Sequence, residues 1–151
     1  MGIEFNQFDC PAPRVLENVR MFAHPDLPRG VGVVVLSFAS CQVFVCVDDQ
    51  NDSLICTRAM PESHSDYLVS LPSTLWERVV GKTLTNAWLM TNDRGYRDAM
   101  QLRFRDLPNT GAYTIIQICV AASQMSISLL KVIATADVAD VDGQAGAGRA
   151  G

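Results

Sequence analysis

The sequence has few of the residues that mark a catalytic or metal site. It contains two histidines, His24 and His64, and five cysteines that form no CxxC pair. Neither histidine has zinc-ligand spacing to a cysteine, which argues against a zinc site. The phosphate-binding loop GxxxxGK[ST] and the zinc-protease motif HExxH do not occur. We therefore expect a protein that is not an enzyme, with no catalytic residue, no bound metal and no cofactor.

Long apolar runs and basic clusters are also missing. The most apolar stretch, residues 115–133, is interrupted by Gln117, Gln124 and Lys131 among others, so it is too polar to span a bilayer. The N-terminal segment contains acids and lacks the apolar region of a signal peptide. The net charge is −4, whereas binding to nucleic acid requires a basic face. We expect a cytoplasmic protein of bacterial type, with neither a membrane nor nucleic acid as a partner.

The cysteines are odd in number and lie mostly in apolar runs, so we interpret them as buried thiols in a reducing compartment. They are Cys10, Cys41, Cys46, Cys56 and Cys119.

The sequence does contain enough apolar residues to form a core. It has 151 residues, of which 48% are hydrophobic and 19% are charged, as expected for one globular domain. We place this domain at residues 14–134, after a polar lead-in at residues 1–13. Residues 135–151, TADVADVDGQAGAGRAG, have no large apolar residue except Val138 and Val141. They are predicted to form a flexible tail.

Short apolar or alternating runs separated by turn residues predict strands. The predicted strands are residues 31–38, 43–47, 54–58, 84–92, 100–105, 113–121 and 125–133. Residues 14–23 fit a helix and a strand equally well. The predicted fold class is α+β: a mainly antiparallel sheet of six or seven strands, built from hairpins, with one or two short helices packed on it.

The clearest helix signal lies at residues 74–81. Thr74 and Glu77 have the spacing of a capping box, and Gly81 can end the helix with a positive φ. The following hairpin turns at Asn92–Asp–Arg–Gly95, a sequence typical of a type I turn closed by glycine. Alternation places Trp88 on the same strand face as Leu84, so we interpret both tryptophans, Trp76 and Trp88, as core residues.

Two groups of acidic residues are candidates for a site. Asp48, Asp49 and Asp52 form the first group, in one turn with Asn51. Their oxygens could bind Mg²⁺ or Ca²⁺, although a solvated turn fits the spacing better because the EF-hand pattern is missing. Asp93 and Asp98 form the second group, in the predicted turn after residue 92. The sequence does not show whether the two groups meet.

The same turn also carries residues that are frequent in protein interfaces. Trp88, Asn92, Arg94 and Tyr96 lie at one end of the hairpin, and Trp, Tyr and Arg are enriched at interface hot spots. With the five aspartates above, these four residues make up the predicted interaction site. For Tyr96, support of the sheet is an equally good interpretation.

The pattern WxxxxGKxLxxxWxMxNxxGYxDAxQLxF, which begins at Trp76 and ends at Phe104, resembles a family of small bacterial single-domain proteins of unknown function. The acidic turn at residues 48–54 is similar to a turn in the same family. The resemblance covers residues 14–133. It implies no activity, but small domains of this kind often accompany secreted toxins as their partners.

Three functional hypotheses follow. The first is a non-enzymatic binding protein, most readily an immunity-type protein that neutralises a toxin with a basic surface. The second is a metal-binding domain or a hydrolase that uses the acidic turn at residues 48–52. The third is a structural module of a larger assembly. The protein would be a monomer, or a homodimer formed through an exposed strand.

Overall fold

The computed structural model describes residues 14–27, 30–48, 50–70, 73–106 and 112–133 of the chain. Within these segments the chain forms nine strands. They are β1 (Leu16–Ala23), β2 (Val33–Phe38), β3 (Gln42–Asp48), β4 (Ser53–Thr57), β5 (Leu68–Ser70), β6 (Thr83–Met90), β7 (Ala99–Arg105), β8 (Tyr113–Ala121) and β9 (Gln124–Ile133). The predicted lead-in at residues 1–13 and tail at residues 135–151 lie outside the described residues.

The strands form two antiparallel sheets rather than the single sheet that we predicted. The first sheet has the order β4-β3-β2-β1-β5 and the second has the order β6-β7-β8-β9. In the described segments, helical residues occur only in two short 3-10 turns, Glu62–His64 and Thr74–Arg78. The α+β prediction is therefore wrong, because each sheet covers its apolar face with the other sheet and not with helices.

The predicted helix at residues 74–81 is only a 3-10 turn, and its cap differs from the predicted one. Ser73, not Thr74, is the N-cap, and its Oγ accepts a hydrogen bond from the Leu75 N–H at 3.3 Å. The capping box that we predicted between Thr74 and Glu77 is therefore wrong. A single turn is too short to be stable alone, so its position depends on tertiary packing.

That packing comes from Trp76, which is 2% exposed and belongs to the main core. The helix cannot continue because the chain returns immediately to the sheet. Gly81 has the expected positive φ, +88°, and its N–H donates to the Leu16 carbonyl at 2.7 Å. The buried indole and the glycine reversal together explain why the helical pattern stops after one turn.

Residues 14–23, which fitted two interpretations, contain strand β1. A bulge between Leu16 and Asn18 inserts Glu17 as an unpaired residue. The bulge places Leu16 and Val19 on the same buried face although they are three residues apart. A spacing of three is typical of a helix, so one bulge explains why the sequence pattern was ambiguous.

The main core lies between the two sheets. Its centre is formed by alternate residues of β2, β3, β7 and β8, and these residues are fully buried. From the first sheet they include Val34, Leu36, Val43 and Val45; from the second sheet they include Met100, Leu102, Phe104, Ile116 and Ile118.

The outer face of the first sheet carries a second, smaller core. Val33, Val35 and Cys46 face outward there, yet each is 0% exposed. The connection from β4 to β5 covers them, with Tyr67 packed against this cluster. His64 holds the connection in place, because its Nε2 lies 2.9 Å from the Val47 carbonyl oxygen. The outer faces of the two sheets are therefore unlike.

Trp88 does not belong to the core, contrary to the prediction. A bulge between Leu84 and Asn86 inserts Thr85 as an extra residue in β6. Leu84 points inward before the bulge. After the bulge, Ala87 and Leu89 are the residues of β6 that pack against the core. Trp88 thus points to the outer face of the second sheet and is 41% exposed. The prediction holds for Trp76 alone.

Three of the described cysteines, Cys46, Cys56 and Cys119, are free thiols, whereas Cys41 is disulfide-bonded. The expectation of thiols is therefore wrong for Cys41. Burial raises the pKa of Cys46 to about 12, although a hydrogen bond with Thr57 acts in the opposite direction. No helix in the described segments is both long and apolar enough to cross a membrane.

Candidate functional site

Three turns meet at one end of the molecule. They connect β3 to β4, β6 to β7 and β8 to β9, and they enclose a cleft of about 470 Å³. The cleft is lined by Gln50, Asn51, Asp52, Asn92, Asp93, Arg94, Tyr96, Asp98, Val120 and Ser123. Because the second sheet is a simple meander, its β6–β7 and β8–β9 turns necessarily lie at the same end. The first sheet contributes the third turn.

The β6–β7 turn is organised by Asn92. Its Oδ1 accepts hydrogen bonds from the backbone N–H groups of Arg94 at 2.9 Å and of Tyr96 at 3.0 Å. Its Nδ2 donates to Asp98 Oδ2 at 3.0 Å. Gly95 closes the turn with a φ of +85° and donates its N–H to the Asn92 carbonyl at 3.0 Å. The predicted turn with a positive-φ glycine is confirmed, and Asn92 is its centre.

The same turn is attached to both sheets through its backbone. The N–H of Leu54 in β4 donates to the Arg97 carbonyl at 2.7 Å, and the N–H of Val120 in β8 donates to the Asp98 carbonyl at 2.8 Å. These two hydrogen bonds fix the β6–β7 turn to β4 of the first sheet and to β8 of the second sheet, where the turn forms one wall of the cleft. Asp93, Arg94 and Tyr96, which precede the anchored residues Arg97 and Asp98, are exposed to solvent.

The β3–β4 turn is fixed by two aspartates with structural contacts. Asp48 accepts hydrogen bonds from the Gln50 N–H at 3.0 Å and from Asn51 Nδ2 at 3.0 Å. Asp52 has a φ of +47°, and its Oδ1 accepts from the Ser123 N–H at 2.8 Å and from Ser123 Oγ at 3.2 Å. Asp52 thus connects the first sheet to the β8–β9 turn across the cleft.

The β8–β9 turn is a tight reversal at Ala122 and Ser123. Both residues have positive φ, +51° and +61°, as in the two-residue hairpins whose twist matches that of the strands. The turn therefore presents the Ser123 backbone and hydroxyl to Asp52. Sequence reasoning missed Ser123, Gln50 and Val120. The short polar break between two apolar strands was the one available signal for Ser123.

The cleft is acidic. Its lining contains three carboxylates, on Asp52, Asp93 and Asp98, and one guanidinium, on Arg94. Asp52 and Asp98 are both hydrogen-bonded within the protein, whereas Asp93 is exposed. In the described part of the chain, no three His, Cys, Asp or Glu side chains are grouped so that they could hold a metal ion. Hydrogen bonds thus fix two of the three carboxylates, and Asp93 is an exposed charge.

The structure brings most of the predicted site together. Asp52, Asn92, Asp93, Arg94, Tyr96 and Asp98 line the cleft. Asp48 supports the β3–β4 turn but is not part of the lining. Trp88 lies on the outer face of the second sheet, and Asp49 lies outside the described residues. The two acidic groups, separate in the sequence, thus meet at one end of the molecule.

Comparison with curated proteins and with solved structures gave no match to this chain. The model of a family of unknown function, DUF6334, matches residues 1–134, which include every strand described above. The chain therefore belongs to this family of unknown function.

Proposed function

We propose that this protein is a non-enzymatic binding protein of the immunity type, which neutralises a bacterial toxin by direct contact at the cleft. The observation that supports this most is the meeting of three turns, which gather Asp52, Asp93 and Asp98 beside the exposed ring of Tyr96. Such a surface suits a partner that presents basic side chains.

Charge supports a basic partner. The chain carries a net charge of −4, and the cleft has three carboxylates against one guanidinium. Complementary charge accelerates encounter between two proteins and selects against partners of the wrong sign. A toxin that acts on nucleic acid needs a basic surface to bind phosphates. This surface is what an acidic inhibitor would cover.

Rigidity also supports a binding role. The cleft walls are held by the Asn92 and Asp52 side chains and by backbone bonds to Leu54 and Val120. A surface that is already ordered loses little entropy when it binds, so more of the contact energy contributes to affinity. Tyr96 is 43% exposed and supplies an aromatic anchor with few rotatable bonds.

The proposal includes a compartment. A toxin that attacks nucleic acid acts in the cytoplasm, so its inhibitor would act there too. The free thiols of Cys46, Cys56 and Cys119 fit a reducing compartment, whereas the disulfide at Cys41 does not. The redox state of Cys41 in protein isolated from cells under thiol-trapping conditions would test this part separately.

The direct test uses the product of the gene that lies beside the gene for this chain. Co-expression should restore growth of cells that produce that protein, and titration calorimetry should show a one-to-one complex. Because Tyr96 is the proposed anchor, Tyr96→Ala should weaken binding about tenfold or more. The association rate should also fall steeply as salt concentration rises.

The matched control is Leu68→Ala. Leu68 is 54% exposed but belongs to β5, far along the first sheet from the cleft turns. This variant should bind as the natural chain does. Failure to bind or protect against the neighbouring product, or equal losses in both variants, would reject the proposed function.

A further inference from the structure

The connection from β4 to β5 places a buried histidine beside an exposed serine. Ser63 and His64 both belong to the 3-10 turn Glu62–His64. Ser63 is exposed to solvent, whereas His64 is buried. The Ser63 Oγ lies 2.8 Å from His64 Nδ1, and His64 Nε2 lies 2.9 Å from the Val47 carbonyl oxygen. None of these three residues lines the cleft, so the pair is separate from the proposed binding surface.

The two partners of His64 determine which ring nitrogen carries the proton. A carbonyl oxygen can only accept a hydrogen bond, so Nε2 must carry the proton that is donated to Val47. In the neutral imidazole, Nδ1 then holds the lone pair. Ser63 is therefore the donor, and its Oγ–H points at Nδ1. This is the direction that a base needs if it is to remove the proton of a serine hydroxyl.

The imidazole is also held in place by packing. Its ring centroid lies 4.5 Å from that of Tyr67, at an interplanar angle of 37°, and Tyr67 is itself buried in the outer cluster of the first sheet. A nucleophile within hydrogen-bond reach of a base, with the base oriented by a third group, is the arrangement of an activated nucleophile. Here the Val47 carbonyl has the orienting role that a carboxylate has in a serine triad.

The hydrogen bond from Ser63 is not needed to position the histidine. The bond to Val47 and the Tyr67 ring already fix the imidazole, and Ser63 lies on the solvent side of it. Ser65 is exposed in the same connection, and within the described residues its side chain makes no hydrogen bond to an imidazole. The two serines thus differ chiefly in their access to a base.

We propose that Ser63 is a nucleophile that accepts an acyl group from an activated ester, with His64 as its general base. The Ser63 Oγ attacks the carbonyl carbon of the ester, and the Oγ proton passes to His64 Nδ1. A bond forms between Oγ and the carbonyl carbon, and the bond from that carbon to the leaving oxygen breaks. The proton then passes from Nδ1 to the leaving oxygen. The products are acylated Ser63 and a free alcohol, with no net gain or loss of electrons.

The surroundings of Ser63 limit the kind of ester. Because Ser63 is exposed, water rather than a preorganised donor stabilises the developing oxyanion, so the ester needs a good leaving group such as a phenolate. Glu62 and Asp66 are exposed in the same connection, and their charges favour a neutral or cationic ester over an anionic one. A small neutral phenyl ester is therefore the appropriate probe.

The test exposes the full chain to p-nitrophenyl acetate and measures the rate of acetylation at each serine by peptide mass mapping. Ser63 should react about 100-fold or more faster than Ser65, because general-base catalysis typically contributes that much. In urea concentrated enough to unfold the chain, the two serines should react at similar rates. The assay uses this chain alone, so its result is independent of whether the cleft binds a toxin.

Three variants identify the base and the nucleophile. H64Q should lower the rate at Ser63 to that at Ser65, and Ser63→Ala should abolish the fast acetylation. Ser65→Ala is the matched control and should leave the rate at Ser63 unchanged. Circular dichroism checks that H64Q is folded; if it is not, the natural chain with and without urea decides. Equal rates at the two serines of the folded natural chain, or a folded H64Q that keeps the natural rate, would overturn the proposal.

Nitrogen NMR of the imidazole tests the direction of the hydrogen bond separately. The neutral ring of His64 should show a protonated Nε2 and an unprotonated Nδ1, because Val47 can only accept. A neutral ring with its proton on Nδ1 would make Ser63 the acceptor. His64 could not then remove the serine proton, and the proposal would be wrong.

Discussion

The two sheets of this protein share one core, but the residues on their outer faces differ in exposure. On the first sheet, the outward residues Val33, Val35 and Cys46 are 0% exposed beneath the chain that joins β4 to β5. On the second sheet, Trp88 is 41% exposed and Leu130 is 46% exposed. Apolar groups are therefore hidden on one side and left accessible on the other.

Topology explains the difference. Strands β4 and β5 occupy opposite edges of the first sheet, so the chain between them must cross its outer face. Strands β6 to β9 follow one another in a meander, so the described turns of the second sheet stay at the strand ends. A crossing segment can support apolar outward residues, whereas a meander leaves its outer face open. The unlike faces thus follow from connectivity before any side chain is considered.

The largest loss of stability should come from truncating Tyr67, a side chain that covers the outer face of the first sheet. Tyr67 is 9% exposed and packs on the outer cluster of the first sheet, so Tyr67→Ala should lower the free energy of unfolding by about 3 kcal/mol. Trp88→Ala, on the outer face of the second sheet, should cost about 1 kcal/mol or less. Urea denaturation would compare them. Equal losses would mean that the outer face of the second sheet is covered as well.

A smaller effect should come from the fit between the cover and the sheet. A Cβ added at Gly32 would overlap the Tyr67 ring, so Gly32→Ala should destabilise the protein by about 1–3 kcal/mol. In the Tyr67→Ala background the ring is gone, and the same substitution should cost much less. A double-mutant cycle in urea would measure this coupling. If the two costs simply add, Gly32 and Tyr67 do not constrain one another.

Local strand pattern could be predicted from the sequence, and it was mostly right. Seven predicted strands correspond to β2, β3, β4, β6, β7, β8 and β9, and the positive φ of Gly95 was expected from its turn. The division into two sheets could not be predicted, because alternation reports which residues are buried but not which sheet buries them. The crossing segment before β5 has a polar sequence, so its covering role was also hidden.

Bulges explain the remaining errors. An extra residue reverses the inside and outside positions of all residues after it. Thr85 does this in β6 and moves Trp88 to the outer face of the second sheet; Glu17 does it in β1. Neither residue has a side chain that marks a bulge. For the candidate site, the turn residues were identifiable from the sequence, but their meeting at one cleft depends on the strand order.

The smallest expected effect concerns the covered thiol of Cys46 at alkaline pH. Burial raises the pKa of Cys46 from its ordinary 9.0 to about 12. The neutral thiol therefore contributes stability that is complete below pH 9 and is lost as the pH rises toward 12. Between pH 8 and pH 10, the natural chain should lose about 1 kcal/mol more stability than Cys46→Ala. Val69→Ala, at an edge strand where Val69 is 81% exposed, is the control and should follow the natural chain. If Cys46→Ala loses stability equally over this range, then the cover over the first sheet does not keep its thiol neutral.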